Sequence, residues 1–209
     1  MRRLILLAGL AAVAAVAAVP SPASALTKAQ CTSYINNYQN KNIVGTNELY
    51  ATRCLISRQR TNNGLPGLTA NTQLGRSASA HALASVQNKF WSLTNGLVSH
   101  LDPGTPVPGD QNALQNLANQ QSDARIRGAG YCAGGRAFTD GEITYAGAGT
   151  AATPKAAVTF WMNDPPHRLA VLNPAFQNYG FGIRRGSPFP GGNNATSITY
   201  VVDLGGCTP

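Results

Sequence analysis

The chain has 209 residues, of which 16 are Lys or Arg and 8 are Asp or Glu, so its formal net charge is +8 at pH 7. This length suits one substantial hydrophobic core, and no feature indicates a second domain. The basic residues occur singly or in short pairs, such as Arg125 with Arg127, without interleaved aromatic residues. We interpret them as solvated surface charge and predict no dedicated nucleic-acid site.

The first 25 residues have the composition of an export signal. Two arginines follow Met1, an apolar run covers 4–19, and Ala23-Ser24-Ala25 offers the small residues of a cleavage site. The run is too short and too rich in alanine for a transmembrane anchor, so we predict cleavage and a secreted, extracellular protein. Cleavage removes two basic residues and leaves a net charge of 14 − 8 = +6.

All four cysteines follow the predicted signal. An even number of cysteines in an exported chain predicts two disulfides, for which three pairings are possible. We favour Cys31–Cys54, which would close a local helical hairpin, and Cys132–Cys207, which would tie the C-terminus to a distant element. A cysteine nucleophile is not expected if all four thiols are paired.

Helical patterns fill the first half of the chain. Capping and periodicity predict helices over 27–40, over 47–60, from 74 to between 90 and 95, and over 111–125. Turn residues at 62–67 and 102–109 separate the last three of these helices.

The second half is richer in β-branched and aromatic residues. These predict strands over 126–131, 138–145, 179–184 and 197–204, with one helix from Pro154 through Trp161. Helices first and strands later, with a helix inserted among them, predict an α+β domain in which helices cover a sheet.

The chain has three histidines. His81 lies on the semi-apolar face of the third predicted helix, where we expect a structural role. His100 and His167 stand beside proline-containing loops, a position that favours function over packing. Glu142 is one of two glutamates and falls within a predicted strand, where its carboxylate must face solvent, pair with a cation or bind a ligand.

Several common enzyme signatures are missing or incomplete. Two stretches, starting at Gly128 and Gly147, fit the pattern G-x-G-x-x-A, but neither lies in a parallel βαβ unit with a ribose-binding acid, so no dinucleotide cofactor is expected. The sequence also lacks a phosphate-binding loop, a G-x-S-x-G nucleophile elbow and an H-E-x-x-H pair.

From Arg53 onward, the order of these features resembles the CAP superfamily (cysteine-rich secretory, antigen and pathogenesis-related proteins), especially its short bacterial branch. The segments VSHL and GEITYAG are similar to its Ser-His motif and its glutamate-bearing strand. The most specific segment is FWMNDPPHRLAVLNPAFQNYGFGI, which resembles the family's Trp helix, His-Arg turn and following Gly-rich strand.

The resemblance implies an α-β-α sandwich, with a mostly antiparallel central sheet flanked by helices. It also implies a cleft with a His-Glu-Glu/Asp-His set, matched here by His100, Glu142 and His167, with Asp164 in place of the second glutamate. The Asn that usually follows the strand glutamate is Ile143 here, and the His-Tyr-Thr-Gln run of eukaryotic members is absent. A eukaryotic-type activity is therefore not expected.

The resulting division is a signal peptide over 1–25, an N-terminal helical extension over 26–50 and the CAP domain over 51–209. Two imidazoles with nearby carboxylates suit zinc or another divalent cation, so the predicted metal site comprises His100, His167, Glu142 and Asp164. With two firm nitrogen ligands, this site should be open and weak.

We expect a monomeric, non-enzymatic binding module with an extracellular or cell-surface ligand that the sequence does not identify. The alternative is a metal-dependent hydrolase with Glu142 or Asp164 as general base. Lipid or sterol carriage, suggested by the resemblance to some eukaryotic relatives, and electrostatic attachment to an anionic wall polymer or nucleic acid are two further interpretations. No exposed apolar helix supports the first of these, and the second predicts binding that collapses as salt rises.

Overall fold

The computed structural model describes residues 46–134 and 137–207. Along these residues, helices are interspersed with the strands of one sheet. Within these residues the helices are α1 (Thr46–Asn62), α2 (Thr72–Asn88), α3 (Gln111–Gly128), α4 (Pro154–Asn163) and α5 (Pro165–Val171). The strands are β1 (Thr69–Ala70), β2 (Phe138–Ala148), β3 (Asn178–Arg185) and β4 (Ser197–Cys207). Short 3-10 helices cover Gly96–His100 and Gly149–Ala151.

The four strands form one mixed sheet in the order β1-β3-β4-β2. β4 pairs antiparallel with both β2 and β3, and only the two-residue β1 pairs in parallel, with β3. The expected mostly antiparallel sheet is therefore confirmed. β2 is an edge strand, which decides where the cleft lies.

Side chains of β4 alternate between two helical layers, as the two-residue period of a strand requires. Tyr200 and Val202 pack in one core with Val158 and Trp161 of α4. Val201, between them, packs on the other face against α2. The sheet thus lies between α1, α4 and α5 on one side and α2 on the other, which confirms the α-β-α sandwich.

Two glycines of β3 allow α2 to approach the sheet at backbone distance. A Cβ atom at Gly180 would overlap the α2 backbone at Leu74, and one at Gly182 would overlap it at Ala78. The GFG sequence of β3 therefore sets the spacing between these two layers.

Most predicted elements are present with shifted ends. The predicted helix over 47–60 is α1, and the boundary proposed after residue 50 falls inside it. The predicted strand over 126–131 is wrong, because α3 continues to Gly128. Its buried residues Leu114, Ala118, Ser122 and Ile126 recur every four positions, so helical packing outweighs the local strand propensity. α5 was not predicted, although Pro165 and Pro166 suit its first turn.

The predicted Cys132–Cys207 disulfide is confirmed, and it ties the segment after α3 to the end of β4. Cys54 is also disulfide-bonded. Its predicted partner Cys31, the predicted signal peptide and the predicted helix over 27–40 lie outside the described residues. Within the described residues, no helix is long and apolar enough to cross a membrane.

Candidate functional site

A cleft of about 780 Å³ opens along the free edge of β2. One wall comes from the 3-10 helix that ends at His100 and from α3, and the other comes from α4 and α5. The strand contributes Asp140 through Ile143 to the lining. The cleft thus lies beside β2, between α3 with the 3-10 helix on one side and α4 with α5 on the other, and it receives side chains from both walls.

His100 is held at the cleft by the buried residues before it. Asn95 caps the 3-10 helix by accepting a hydrogen bond from the N–H of Leu97. The Ser99 hydroxyl lies 2.7 Å from the Thr144 hydroxyl of β2. These contacts fasten the 3-10 helix to the strand, so the imidazole at its end has a fixed position.

The third histidine, His81 of α2, contacts the same 3-10 helix from the interior of the protein. His81 is 2% exposed, and its Nε2 lies 2.8 Å from the carbonyl oxygen of Ser99. The same nitrogen is 3.8 Å from Glu142 Oε1. A structural role on the buried face of α2 agrees with the sequence-based expectation, but the proximity to Glu142 was not foreseen.

Glu142 forms the centre of the polar network. Its side chain is 1% exposed, and its Oε1 lies 2.9 Å from Nδ1 of His100. Arg125 donates from Nη2 to both carboxylate oxygens, at 3.0 and 2.9 Å. Burial acts to raise the pKa of Glu142, but the charges of His81 and Arg125 and the His100 hydrogen bond outweigh it and hold that pKa well below its usual range.

Arg125 links three parts of this wall. It reaches from α3 to Asp102 at 2.7 Å and donates to the carbonyl oxygen of His100 at 3.1 Å, in addition to its bonds with Glu142. Its side chain is 14% exposed. The prediction of solvated surface charge is therefore wrong for Arg125, while Arg127 next to it is 58% exposed and fits that prediction.

The opposite wall presents His167. Asp164 lies between α4 and α5 with an extended backbone, and its Oδ2 lies 2.6 Å from Nδ1 of His167 in the first turn of α5. Burial and the neighbouring His100 lower the pKa of His167, against the opposing effect of Asp164. The ring centres of His100 and His167 are 6.3 Å apart.

All four residues singled out from the sequence thus lie around one cleft, in two His–carboxylate pairs that face each other. Asp203 was missed: it is fully buried on β4 directly opposite Glu142, and burial, together with the Glu142 charge, raises its pKa well above the usual range. A carboxylate within the apolar run ITYVVDLGG was a signal that could have identified it. No local sequence pattern identified Arg125, because its role depends on its proximity to Glu142 in the folded protein.

The arrangement offers two imidazoles whose Nδ1 atoms are engaged by carboxylates, so their Nε2 atoms are available to other partners. A carboxylate on the second ring nitrogen is the usual support of a metal-bound histidine. However, no group of three or more His, Cys, Asp and Glu side chains within 46–134 and 137–207 is arranged to hold a metal ion.

Two comparisons relate this chain to known proteins. The profile of the CAP, or cysteine-rich secretory protein, family matches residues 110–202, which include β2, Asp164 and His167. The fold is similar to that of an outer surface protein from Borrelia burgdorferi, with a TM-score of 0.56 at 18% sequence identity, over 79% of this chain and 97% of that one. Residues 110–202 are therefore similar to the CAP family, and the fold is similar to that of the Borrelia protein.

Two further solved structures are more distant. A cysteine-rich secretory protein from Staphylococcus aureus gives a TM-score of 0.43 at 16% identity, over 76% of this chain and 38% of that one. An extracellular protein containing an SCP domain from Bacillus anthracis gives 0.44 at 17% identity, over 87% of this chain and 44% of that one. This chain thus spans less than half of either protein. No curated protein matches the sequence significantly.

Proposed function

We propose that this protein is a secreted CAP-domain binding module whose β2-edge cleft is the ligand site, with a divalent cation held between His100 and His167. Secretion is supported by the signal-like composition of the first 25 residues and by the Cys132–Cys207 disulfide, which suits an oxidising compartment. The observation that carries the cation site is the pair of facing imidazoles, each oriented by its own carboxylate.

The residues fit a cation of the zinc type in part. Two imidazole nitrogens bound to one zinc ion at about 2.1 Å allow ring centres up to about 6.5 Å apart, and a tetrahedral angle brings them about 1 Å closer than that. The observed 6.3 Å lies inside the outer limit, so a tetrahedral site needs a small rotation of a ring. The lowered pKa of His167 favours the neutral imidazole that binds metals.

A bound cation would supply Lewis acidity and an anchoring charge for a ligand in the cleft. Asp164 and Glu142 would hold the two rings in their tautomers through Nδ1. With two nitrogen ligands and the remaining positions left to water or ligand, binding is expected to be weak and exchangeable.

The chemistry of Glu142 argues for a binding role over hydrolysis. A general base needs access to the reactant and a pKa near the working pH. Glu142 is 1% exposed, both of its oxygens are bonded by Arg125, and its pKa is lowered. We therefore assign Glu142 to the positioning of His100. Asp164 engages Nδ1 of His167 in the same way.

Zinc titration into the purified mature protein, followed by calorimetry, tests the cation site. We expect one site in the wild type and at least about tenfold weaker binding in His100→Ala and in His167→Ala, since each variant removes one of two nitrogen ligands. Gln115→Ala is the matched control, because Gln115 lines the same cleft without a ring nitrogen. Equal affinity in all four proteins would overturn the cation site.

Hydrolysis assays on peptide and ester substrates test the non-enzymatic role. We expect zinc-loaded wild type and Asp164→Asn to give the same background rate. A rate above background that is lost in Asp164→Asn would replace the binding module with a hydrolase.

A further inference from the structure

The floor of the cleft is the outer edge of a strand. Among the residues that the structure describes, β2 is the last strand of the sheet, and Asp140, Gly141, Glu142 and Ile143 line the cleft. An edge strand presents backbone N–H and C=O groups that can pair with another extended chain.

The sheet register identifies which groups point outward. Gln177 donates its N–H to the carbonyl oxygen of Gly205 at 2.8 Å, so Gly205 directs its backbone groups towards β3, and Asp203, two residues away, does the same. Asp140 is opposite Gly205 and Glu142 is opposite Asp203. Because Gly205 and Asp203 turn away from β2, Asp140 and Glu142 form non-hydrogen-bonded pairs and direct their N–H and C=O groups into the cleft.

Two further observations agree with this assignment. Thr144, next in the same series, has its carbonyl oxygen bonded by Trp161 Nε1 of α4 at 2.8 Å, on the side away from β4. Glu142 as a residue is partly exposed although its side chain is 1% exposed, so the exposed surface belongs to its backbone. The Trp161 bond closes the edge at Thr144, whereas the backbone groups of Glu142 and the carbonyl of Asp140 stay open. The N–H of Asp140 is bonded to its own carboxylate.

We propose that the cleft binds an extended polypeptide segment, which pairs as an added strand with the backbone of Asp140 and Glu142. Each of the two residues can form two hydrogen bonds with the added strand, and at Asp140 the N–H would exchange its bond to its own carboxylate for one to the peptide. Added-strand recognition draws affinity from these backbone bonds and selectivity from the flanking walls. The proposal rests on the proposed function in taking this cleft as the ligand site, but it does not require the cation.

The charge of the cleft selects a basic peptide. The chain carries a formal charge of +8, yet Asp123, Asp140 and Asp164 line the cleft, and no Lys or Arg is among its described lining residues. Asp123 is bridged to Arg127 at 2.7 Å. Asp140, close to both, therefore leaves one net negative charge at that end. A Lys or Arg side chain of the bound segment would be attracted there.

The walls supply contacts suited to a peptide. On the α3 side, Gln115 and Asn119 offer amide donors and acceptors. On the α4 side, Phe160 lines the cleft with 44% of its surface exposed, which is unusual for a large apolar residue. An apolar side chain of the added strand would cover this ring.

The test uses a capped hexapeptide of alternating lysine and valine, with amide hydrogen exchange followed by NMR on the mature protein. Saturation should slow exchange at Asp140 and Glu142 by at least about tenfold, while Gly141 and Ile143, already bonded to β4, should not change. An analogue N-methylated on alternate residues should bind about tenfold more weakly, since it loses backbone donors. Equal binding of both peptides, or binding without slowed exchange at Glu142, would overturn the proposal.

Two variants at Asp140 separate the contribution of its backbone N–H to peptide binding from that of its side-chain charge. Asp140→Pro removes an N–H that β4 does not use, which an edge strand tolerates, and should weaken hexapeptide binding more than Asp140→Asn, which keeps that N–H. Equal affinities for these two folded variants would count against strand pairing. If Asp140→Pro does not fold, the N-methylated peptide decides the question.

Measurements on His100→Ala/His167→Ala with a chelator present separate this inference from the cation site. Slowed exchange at Glu142 under these conditions would support strand pairing whether or not zinc binds the wild type. Zinc binding by the wild type without slowed exchange on peptide addition would overturn strand pairing alone.

Discussion

Glu48 and Glu142, the two glutamates of the chain, are both buried, but their surroundings shift their pKa values in opposite directions. Glu142 has Arg125 on both oxygens, and its pKa is lowered. Glu48, in the first turn of α1, accepts a short hydrogen bond from the Tyr200 hydroxyl. Burial raises the pKa of Glu48 to about 7, and the Tyr200 bond and the Arg185 charge offset this only in part.

The difference shows that burial sets the cost of a charge and the partner decides whether it is kept. The Tyr200 hydroxyl and the Arg185 charge do not offset the desolvation of Glu48, whereas the charges of His81 and Arg125 and the His100 hydrogen bond do so for Glu142. Glu48 therefore exchanges a proton near neutral pH within the core, on the α1 face of the sheet. Glu142 remains ionised at the cleft and orients His100.

The largest effect on stability is expected from removing the guanidinium group of Arg125. Arg125→Met leaves Glu142 as a buried charge without its guanidinium, which should lower the free energy of unfolding by about 3–5 kcal/mol at pH 7. Urea unfolding of the wild type and of Arg125→Met measures this difference in the free energy of unfolding. In the double variant Arg125→Met/Glu142→Gln no unpaired carboxylate remains, so much of the loss should be recovered. A single variant as stable as wild type would show that Arg125 contributes little to holding the Glu142 charge.

The next effect concerns Glu48 and pH. Its pKa in the folded state is raised from 4.5 to about 7, so folding favours the protonated form. The associated stability is present below about pH 4.5 and is lost as pH rises through 7, by about 3 kcal/mol in all. Glu48→Gln, which is neutral at every pH, should remove this dependence.

Urea unfolding of wild type and Glu48→Gln at pH 5 and pH 8 measures the effect as a difference. Burial is the main cause that raises the pKa of Asp140 to about 6, so the contribution of Asp140 to the free energy of unfolding also falls as pH rises over this range. It is present in both proteins, so its contribution cancels. A difference between the two proteins that stays constant with pH would show that Glu48 does not titrate in this window.

The smallest effect is expected from a comparison of the two carboxylate partners of Arg125, one buried and one exposed. Arg125 bonds the buried Glu142 and also Asp102, whose side chain is 47% exposed. Asp102→Asn should therefore cost only about 0.2–1 kcal/mol in unfolding free energy, because solvent screens the exposed pair. Added salt should shrink this cost further. A loss as large as that of Arg125→Met would mean that exposure does not control the strength of these pairs.

The four residues predicted for the site line one cleft. Residue context marked three of them, and the family resemblance implied the full set with Asp164. His100 and His167 lie beside proline loops, and Glu142 is a glutamate within a predicted strand. By contrast, Ile126 was placed in a strand, because its β-branched side chain carries a local preference that burial within α3 overrides. Arg125 was assigned to the surface for a similar reason: composition describes charge density and not which charge is enclosed.

By itself, the sequence predicted the α+β class and favoured Cys132–Cys207 among three possible pairings, and the resemblance to the CAP family implied the four His, Glu and Asp side chains. Periodicity, cysteine count and motif order are local or ordered along the chain, so they can be read without the tertiary structure. The tertiary structure decided that Arg125 neutralises Glu142, that Asp203 lies behind it and that β2 is the edge strand of the sheet in the described part of the chain. These features depend on register and on contacts between distant segments. Their energies come from burial and pairing, which exist only once the layers have packed.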